Sequence, residues 1–419
     1  MRRTRFLWHA GRRLAAVPVL AAAALGVACV EGAQPASASM GPLVELPTPT
    51  ADGSNTPFVT VNAQQQLLLS WTQRRPDSTV AIQMARWTGS QWDSTRTIAD
   101  ARPFFVNWAD FPAITALGNG DLAAHWLERD GTGKYAYGIR VVRSSDAGRS
   151  WSAPVVPHTD GLAAEHGFVS LWPDGADRLG LVWLDGRKSA MKDSAREMTI
   201  RTAVVAPDGT LEREALLDAR SCDCCQTGTA VAASGRVIVY RDRSAEEIRD
   251  IAIVRETSSG WTAPQHVHAD GWHYPGCPVN GPQVAARGDT VVVAWYTAAR
   301  DSARVYVARS TDGGATFGAP ARVDDGDPIG RVSLTLDGAG LPIVAWLEQR
   351  TPQDAEVLVR RFLAAADSYT PRETHRIART SGARPSGFPR LARVADTLFA
   401  TWTTTTPMLR VHVGRLSLF

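Results

Sequence analysis

The sequence predicts an all-β chain: a propeller of seven four-stranded antiparallel blades, with six as the alternative count, closed by an N-terminal strand. Three observations carry this. An apolar run ending in an aromatic residue recurs at Trp71, Trp126, Trp183, Tyr240, Trp295, Trp346 and Trp402, spaced by 55, 57, 57, 55, 51 and 56 residues. Around each anchor the same order of short strands and turn signals repeats, and a fixed period holding about four strands is the pattern of propeller blades. No stretch sustains a 3.6-residue apolar period, and only residues 246–249 read as a helical turn.

In chain order, residues 1–28 come first. Arg2, Arg3, Arg5, Arg12 and Arg13 precede a 15-residue apolar run, 14–28, interrupted by Pro18. That is short of the roughly 20 residues a membrane span needs. The segment reads as an export signal, with an uncleaved anchor as the alternative. Leu25 to Cys29 resembles a bacterial lipobox, with Gly26 where a bulky aliphatic is usual, so lipidation of Cys29 is expected. Ala36-Ser-Ala38 offers a competing cleavage that would free Ser39. Residues 29–41 form a low-complexity tether and 42–419 the propeller. The expected location is the periplasm or cell surface, with the membrane reached by a lipid anchor only. Without the leader the net charge falls from +3 to −2, which leaves no electrostatic case for nucleic acid.

Each repeat opens on a short strand, as at 57–62, 112–117, 282–286 and 389–393. A turn follows, as in Gly118-Asn-Gly-Asp121, then the anchor strand, a polar loop, and an alternating third strand such as 304–309. The last repeat supplies only three strands. Residues 43–46, Leu-Val-Glu-Leu, are the expected donors of the fourth, which would remove the open edges.

Between third and fourth strands lie two copies of one motif. Ser144, Asp146, Gly148 and Trp151 form the first; Ser310, Asp312, Gly314 and Phe317 form the second. Both read Ser-x-Asp-x-Gly-x-x-aromatic, and both run on into Ala-Pro. In such a turn the Asp accepts backbone N–H groups, the Gly takes a positive φ, and the ring tucks between sheets. On these motifs the chain resembles the sialidase-like, Asp-box β-propeller superfamily over residues 42–419. The resemblance implies a ligand site on the face opposite the Asp boxes. The family's enzymes have six blades and bind a carboxylate with three arginines, the first in an Arg-Ile-Pro motif. They add an Asp acid/base and a Tyr–Glu pair. No Arg-Ile-Pro occurs here, and Tyr240 and Glu246 lie in no matching motif, so no catalytic residue is carried over.

On that face fall the inter-blade links, and a second set of loops expected to begin right after each anchor. Asn107, Trp108, His166, Arg187, Arg241, Asp242, Trp272, His273, Tyr274 and Arg300 are the candidate ligand-binding residues. Arginines and carboxylates around an aromatic mouth suit a polar or anionic ligand. Cys222, Cys224 and Cys225 sit in the link into blade four and Cys277 in the link into blade five. Disulfide stapling, a copper or zinc site, and redox exchange all remain open for them. No cofactor is otherwise required. The expected role is a binding or scaffold module of the cell envelope for a glycan or an envelope protein. A sialidase-type exo-glycosidase is the first alternative and a metal-binding protein the second. The oligomeric state is left open.

Overall fold

The computed structural model describes residues 39–191 and 197–419. The segment expected to be an export signal, the expected lipidation site Cys29 and the Ala36–Ala38 cleavage site lie outside the described residues.

Seven antiparallel blades form a closed series, the first six with their strands in chain order from the axis outward and the seventh completed at its outer edge by an N-terminal strand. Blade one holds Ser54–Val61, Leu67–Arg74, Val80–Arg86 and Arg96–Asp100. Blade two holds Ala113–Ala116, Leu122–Arg129 and Tyr137–Ser144, its outer position reduced to one bridge between Val141 and Val155. Blade three holds His166–Asp174, Arg178–Asp185, Met198–Val205 and Leu211–Ser221. Blade four holds Gly228–Ala232, Gly235–Arg241, Ile251–Thr257 and Gln265–His268. Blade five holds Gln283–Arg287, Thr290–Thr297, Arg304–Ser310 and Ala321–Arg322. Blade six holds Pro328–Leu336, Pro342–Gln349, Asp354–Ala364 and Tyr369–Ser381. Blade seven holds Arg390–Val394, Thr397–Thr404 and Arg410–Ser417.

The expected closure is present. Val44–Leu46 pairs antiparallel with Arg410–Ser417, in the register Val44 with Arg415 and Leu46 with Val413. Leu46 is 7% exposed and packs with Val59, Trp71, Val411 and Val413, whereas Val44 faces out at 48%. Strand alternation therefore shows on the closing strand. On the inner strands it is lost, because both faces pack against neighbouring blades. The described apolar side chains form seven core clusters, one at each junction between successive blades.

The anchors sit in these junctions, and their polar atoms dictate a second pattern. A buried indole N–H needs an acceptor. Trp126 donates to Glu128 at 2.9 Å, Trp183 to Asp185 at 2.8 Å and Trp346 to Glu348 at 2.6 Å. Tyr240 donates to Asp218 at 2.5 Å. Each anchor strand thus runs past its aromatic residue, to Arg129, Asp185, Arg241, Thr297 and Gln349 in blades two to six. The expectation that loops start right after the anchors is corrected: in blades two, three and six residue anchor+2 is a buried strand residue serving the ring, while Trp295 donates to Asp270 and Tyr240 to Asp218.

The two Ser-x-Asp-x-Gly turns share one bonding pattern. Asp146 accepts N–H bonds from Arg149 and Ser150, and Asp312 accepts one from Thr316. Ser144 and Ser310 each donate to their Asp and accept from the Gly N–H. Gly148 and Gly314 have φ of 85° and 88°, and a Cβ there would press on Met84 and Ile253 of the preceding blade. Trp151 and Phe317 pack into the junctions of blades one and two and of blades four and five.

One expectation on local structure fails. Residues 246–249 form no helical turn. Ser244 accepts N–H bonds from Glu246 and Ile248, and Glu247 takes φ 61°, which ends the turn. The short helix lies instead at Arg187–Ala190.

Candidate functional site

Antiparallel topology places the second-to-third loops and the inter-blade links on one face, and the two Ser-x-Asp-x-Gly turns on the other. The links into blades four and five meet on the first face. Residues 222–227 separate Leu211–Ser221 from Gly228–Ala232, and residues 269–282 separate Gln265–His268 from Gln283–Arg287.

Arg241, at the end of its strand and 1% exposed, fastens them together. It donates to the carbonyl of Asn280 at 3.0 and 2.8 Å, to that of Tyr296 at 2.6 Å and to that of Arg249 at 2.5 Å. Its guanidinium lies 4.8 Å from the centre of the Trp272 ring. Asp250 accepts the N–H groups of Gly271 and Trp272, and Arg249 donates to the Tyr274 carbonyl at 3.1 Å. The aromatic link is pinned from beneath by blade four. Arg241 is therefore a clamp, not a ligand-facing group.

Above this clamp opens a groove of about 670 Å³, lined by Trp272, His273, Tyr274, Cys277, Tyr296 and Arg300 among others. Trp272 is its floor, 5% exposed, stacked on Tyr274 at 5.3 Å and met edge-on by Tyr296 at 5.6 Å. Arg300 is exposed and makes no ion pair among the described residues. Arg300 and Asp301 stand consecutively at φ 56° and 55°. Left-handed non-glycine residues are held there only by surrounding structure and gather at functional loops. Burial pushes the Tyr296 hydroxyl up, and Arg241 only partly offsets this.

The four cysteines converge. The thiol sulfurs of Cys222, Cys224 and Cys225 lie within 4.8 Å of one another, Cys222 and Cys225 at 3.3 Å. Cys277 reaches Cys224 from the other link. All four are unbonded thiols in the structure. Cys222 and Cys225 are buried, and Cys277 is exposed on the groove wall. Burial disfavours a Cys222 thiolate, but thiol donors from Cys224 and Cys225, with Arg249, hold its pKa well below the ordinary value. Burial pushes Cys225 up, and the hydrogen bond with Cys222 adds to this.

Other expected rim residues are structural. His166 is fully buried, stacked on His158 at 3.8 Å and bonded to Asp160 at 2.8 Å. Arg187 is paired with Asp185 at 2.7 Å and Asp160 at 3.1 Å, so the His158–Asp160–His166 group already has a cation on its carboxylate. Asp242 accepts the Arg243 N–H and meets His266 at 3.3 Å. Asn107 accepts the Ala109 N–H at 2.9 Å. Trp108, half-buried, stacks on Phe388 at 5.8 Å, with Arg331 4.6 Å from its ring centre. None of these three lines the groove: Asp242 faces the outer strand of blade four, and Asn107 and Trp108 belong to the link into blade two. An axial channel of about 160 Å³ is bordered by Asp110, Gln226 and Arg390.

Beside that channel lies a polar trio in which Asp110 and Glu165 come from inter-blade links, as the sequence places them, and Tyr137, which the sequence did not single out, joins them. Tyr137 donates to Glu165 at 2.6 Å and approaches Asp110 at 3.4 Å. Burial pushes Asp110 up to about 8 and Glu165 up to about 7. Tyr137 is 1% exposed and stacks on Phe105. Tyr240 and Glu246 do not meet: Tyr240 is buried on Asp218, and Glu246 is exposed beside Ser244.

No protein-family model matches the chain, and no curated protein matches it in sequence. Solved structures match in fold. A protein of unknown function from Dyadobacter fermentans aligns at TM-score 0.50 and 15% identity, over 90% of this chain and 98% of that one. Trypanosoma rangeli sialidase with sialic acid aligns at TM-score 0.46 and 13% identity, over 88% and 59%. A PL25 ulvan lyase aligns at 0.44 and 13%, over 76% and 80%. The strand pairing makes the chain a seven-bladed β-propeller. At these identities the likeness is one of fold alone.

Proposed function

We propose that this propeller is a binding module of the cell envelope that captures an acidic glycan in the groove between the links into blades four and five. The observation that carries the reading is the open aromatic groove with Arg300 at its lip, built over the Arg241 clamp. Flat rings offer apolar faces to sugar C–H groups, and a guanidinium fork matches a carboxylate. In this reading the chain is exported and held by lipid at Cys29. Calorimetric titration of the full chain with an oligoglucuronate, and with a neutral oligoglucoside as control, tests it. Acidic oligomer should bind, and Tyr274→Ala and Arg300→Ala should each weaken binding about tenfold, roughly 1.4 kcal/mol. Absence of binding, or binding that both variants leave unchanged, overturns the reading.

The Tyr137–Glu165–Asp110 trio favours a second reading, a sialidase-type hydrolase. Against it stand the burial of Tyr137 and the engagement of Arg241 and Arg331 by backbone carbonyls. The protein should not release sialic acid from a fluorogenic sialoside. Turnover that is lost in Tyr137→Phe would reverse the order of the two readings.

A further inference from the structure

The cysteine knot and the buried charge beside it belong together. Three sulfurs of one link and a fourth from the next gather here, none bonded to another. Cys222, Cys224 and Cys225 are mutual neighbours, and Cys277 lies beside Cys224 from the other link. A metal–sulfur bond of about 2.3 Å in a tetrahedron sets sulfurs about 3.8 Å apart; the three sulfurs of the blade-four link lie within 4.8 Å of one another, and Cys277 stands outside that trio and would close in on the ion from the other link. Arginines stand around the cluster: the Cys222 N–H donates to the Arg241 carbonyl at 3.1 Å, and Arg243 pairs at 3.3 Å with Asp223, the residue between Cys222 and Cys224. Arg243 and Arg249 share Glu247 at 2.7 Å. Arg241 has no carboxylate within ion-pair distance among the described residues, although it is 1% exposed. A buried cation without a counter-ion is costly. Neutral thiols or neutral disulfides would leave it so, whereas a thiolate–metal centre of net negative charge would answer it.

We propose that Cys222, Cys224, Cys225 and Cys277 form a thiolate site for one soft d10 cation, zinc(II) held by all four sulfurs or copper(I) by the three of the blade-four link. Each ligating thiol gives its proton to solvent as its metal–sulfur bond forms, with no change in oxidation state. The proposal stands apart from the glycan reading, because no ligating cysteine takes part in the Tyr274 and Arg300 test. It does place the ion at the groove wall, through Cys277.

The test uses the full chain, reduced and metal-free under anaerobic conditions. Cobalt(II), as a spectroscopic stand-in for zinc, and copper(I) against a competing chelator are titrated separately. One equivalent should bind, cobalt with intense thiolate-to-metal absorption. Cys222→Ser should weaken either ion by at least about 100-fold. Cys277→Ser should do the same for cobalt and zinc if four sulfurs ligate, and change copper(I) by only a few-fold if three do. Melting of the metal-free variants controls for folding; if Cys222→Ser is unfolded, the half-buried Cys224→Ser is read instead. A reduced chain that binds neither ion, affinities unchanged in Cys222→Ser and Cys224→Ser, or Cys222–Cys225 and Cys224–Cys277 disulfides in protein isolated anaerobically would each overturn the proposal.

Discussion

Replacing Arg241 by Ala removes a guanidinium that makes four hydrogen bonds to three carbonyls: Asn280 twice, Tyr296 and Arg249. All three acceptors belong to segments that shape the groove. A hydrogen bond from a charged donor contributes about 1.5–3 kcal/mol. Truncation also strands the carbonyls and leaves a cavity beneath Trp272, so a loss of about 3–5 kcal/mol is expected, as for other broken buried charged networks. With an unfolding entropy of about 2.1 cal/mol/K per residue, a propeller of this length gives up about 0.8 kcal/mol per degree at its midpoint. Arg241→Ala should therefore lower the melting temperature by about 4–6 °C, followed by near-UV circular dichroism, where Trp272 and its neighbours report. Arg241→Lys should fall between, since it keeps the charge but not the fork. The same variant should weaken acidic-glycan binding, because the link carrying Tyr274 loses its anchor. A melting temperature within 1 °C of the parent would refute the clamp, and so would a destabilised variant whose native near-UV aromatic signal is unchanged.

Ring closure is tested on one short strand. Leu46→Ala should destabilise by about 2–4 kcal/mol and Val44→Ala by less than about 0.5 kcal/mol, read by chemical denaturation; equal effects would deny the pairing. Asp110 and Glu165 are carboxyls whose pKa values are raised in the folded state by burial. Their stabilising contribution is complete below the unfolded carboxylate pKa and is lost as pH rises through about 7 and 8, because the unfolded chain then binds fewer protons than the folded one. Asp110→Asn should flatten the fall in melting temperature between pH 5 and pH 9, while the amide oxygen keeps the Phe168 N–H bond; an unchanged slope would exclude it. Gly180→Ala would drive a Cβ into the Trp172 indole, which lies under Arg236, and should cost about 1–3 kcal/mol by thermal melting.

The ring was legible in the sequence because its anchors are large, aromatic and evenly spaced, and because the final repeat lacks a strand that residues 43–46 can supply. The convergence of the cysteines was legible too, since links into successive blades share a face. What lay hidden was the destination of individual polar side chains. Glu128, Asp185 and Glu348 read as rim charges, yet they turn inward to satisfy indole N–H groups two residues earlier in the strand. Arg241 and His166 likewise sit at strand ends, where composition does not distinguish a solvent-facing charge from a buried one. An acid at anchor+2 was the available signal: a buried donor predicts an acceptor on the same side of the same strand. Tyr137 gave no such signal, because its partners Glu165 and Asp110 come from two different links.

The non-covalent seam has a further consequence. The Phe419 N–H meets the Ser39 carbonyl at 3.3 Å, and Met40 bridges to Leu418. Because residues 39 and 419 of the ring are adjacent, the starting blade of the propeller is a matter of genetic order and not of architecture. A chain joined at this seam and reopened in the exposed loop 131–135 would present the same junctions, the same clamp and the same groove. Blade seven, now completed by a strand from the far end of the sequence, would then become a contiguous hairpin unit like its neighbours. The longest-range pairing in the chain would move to blade two, whose outer edge is already the least complete.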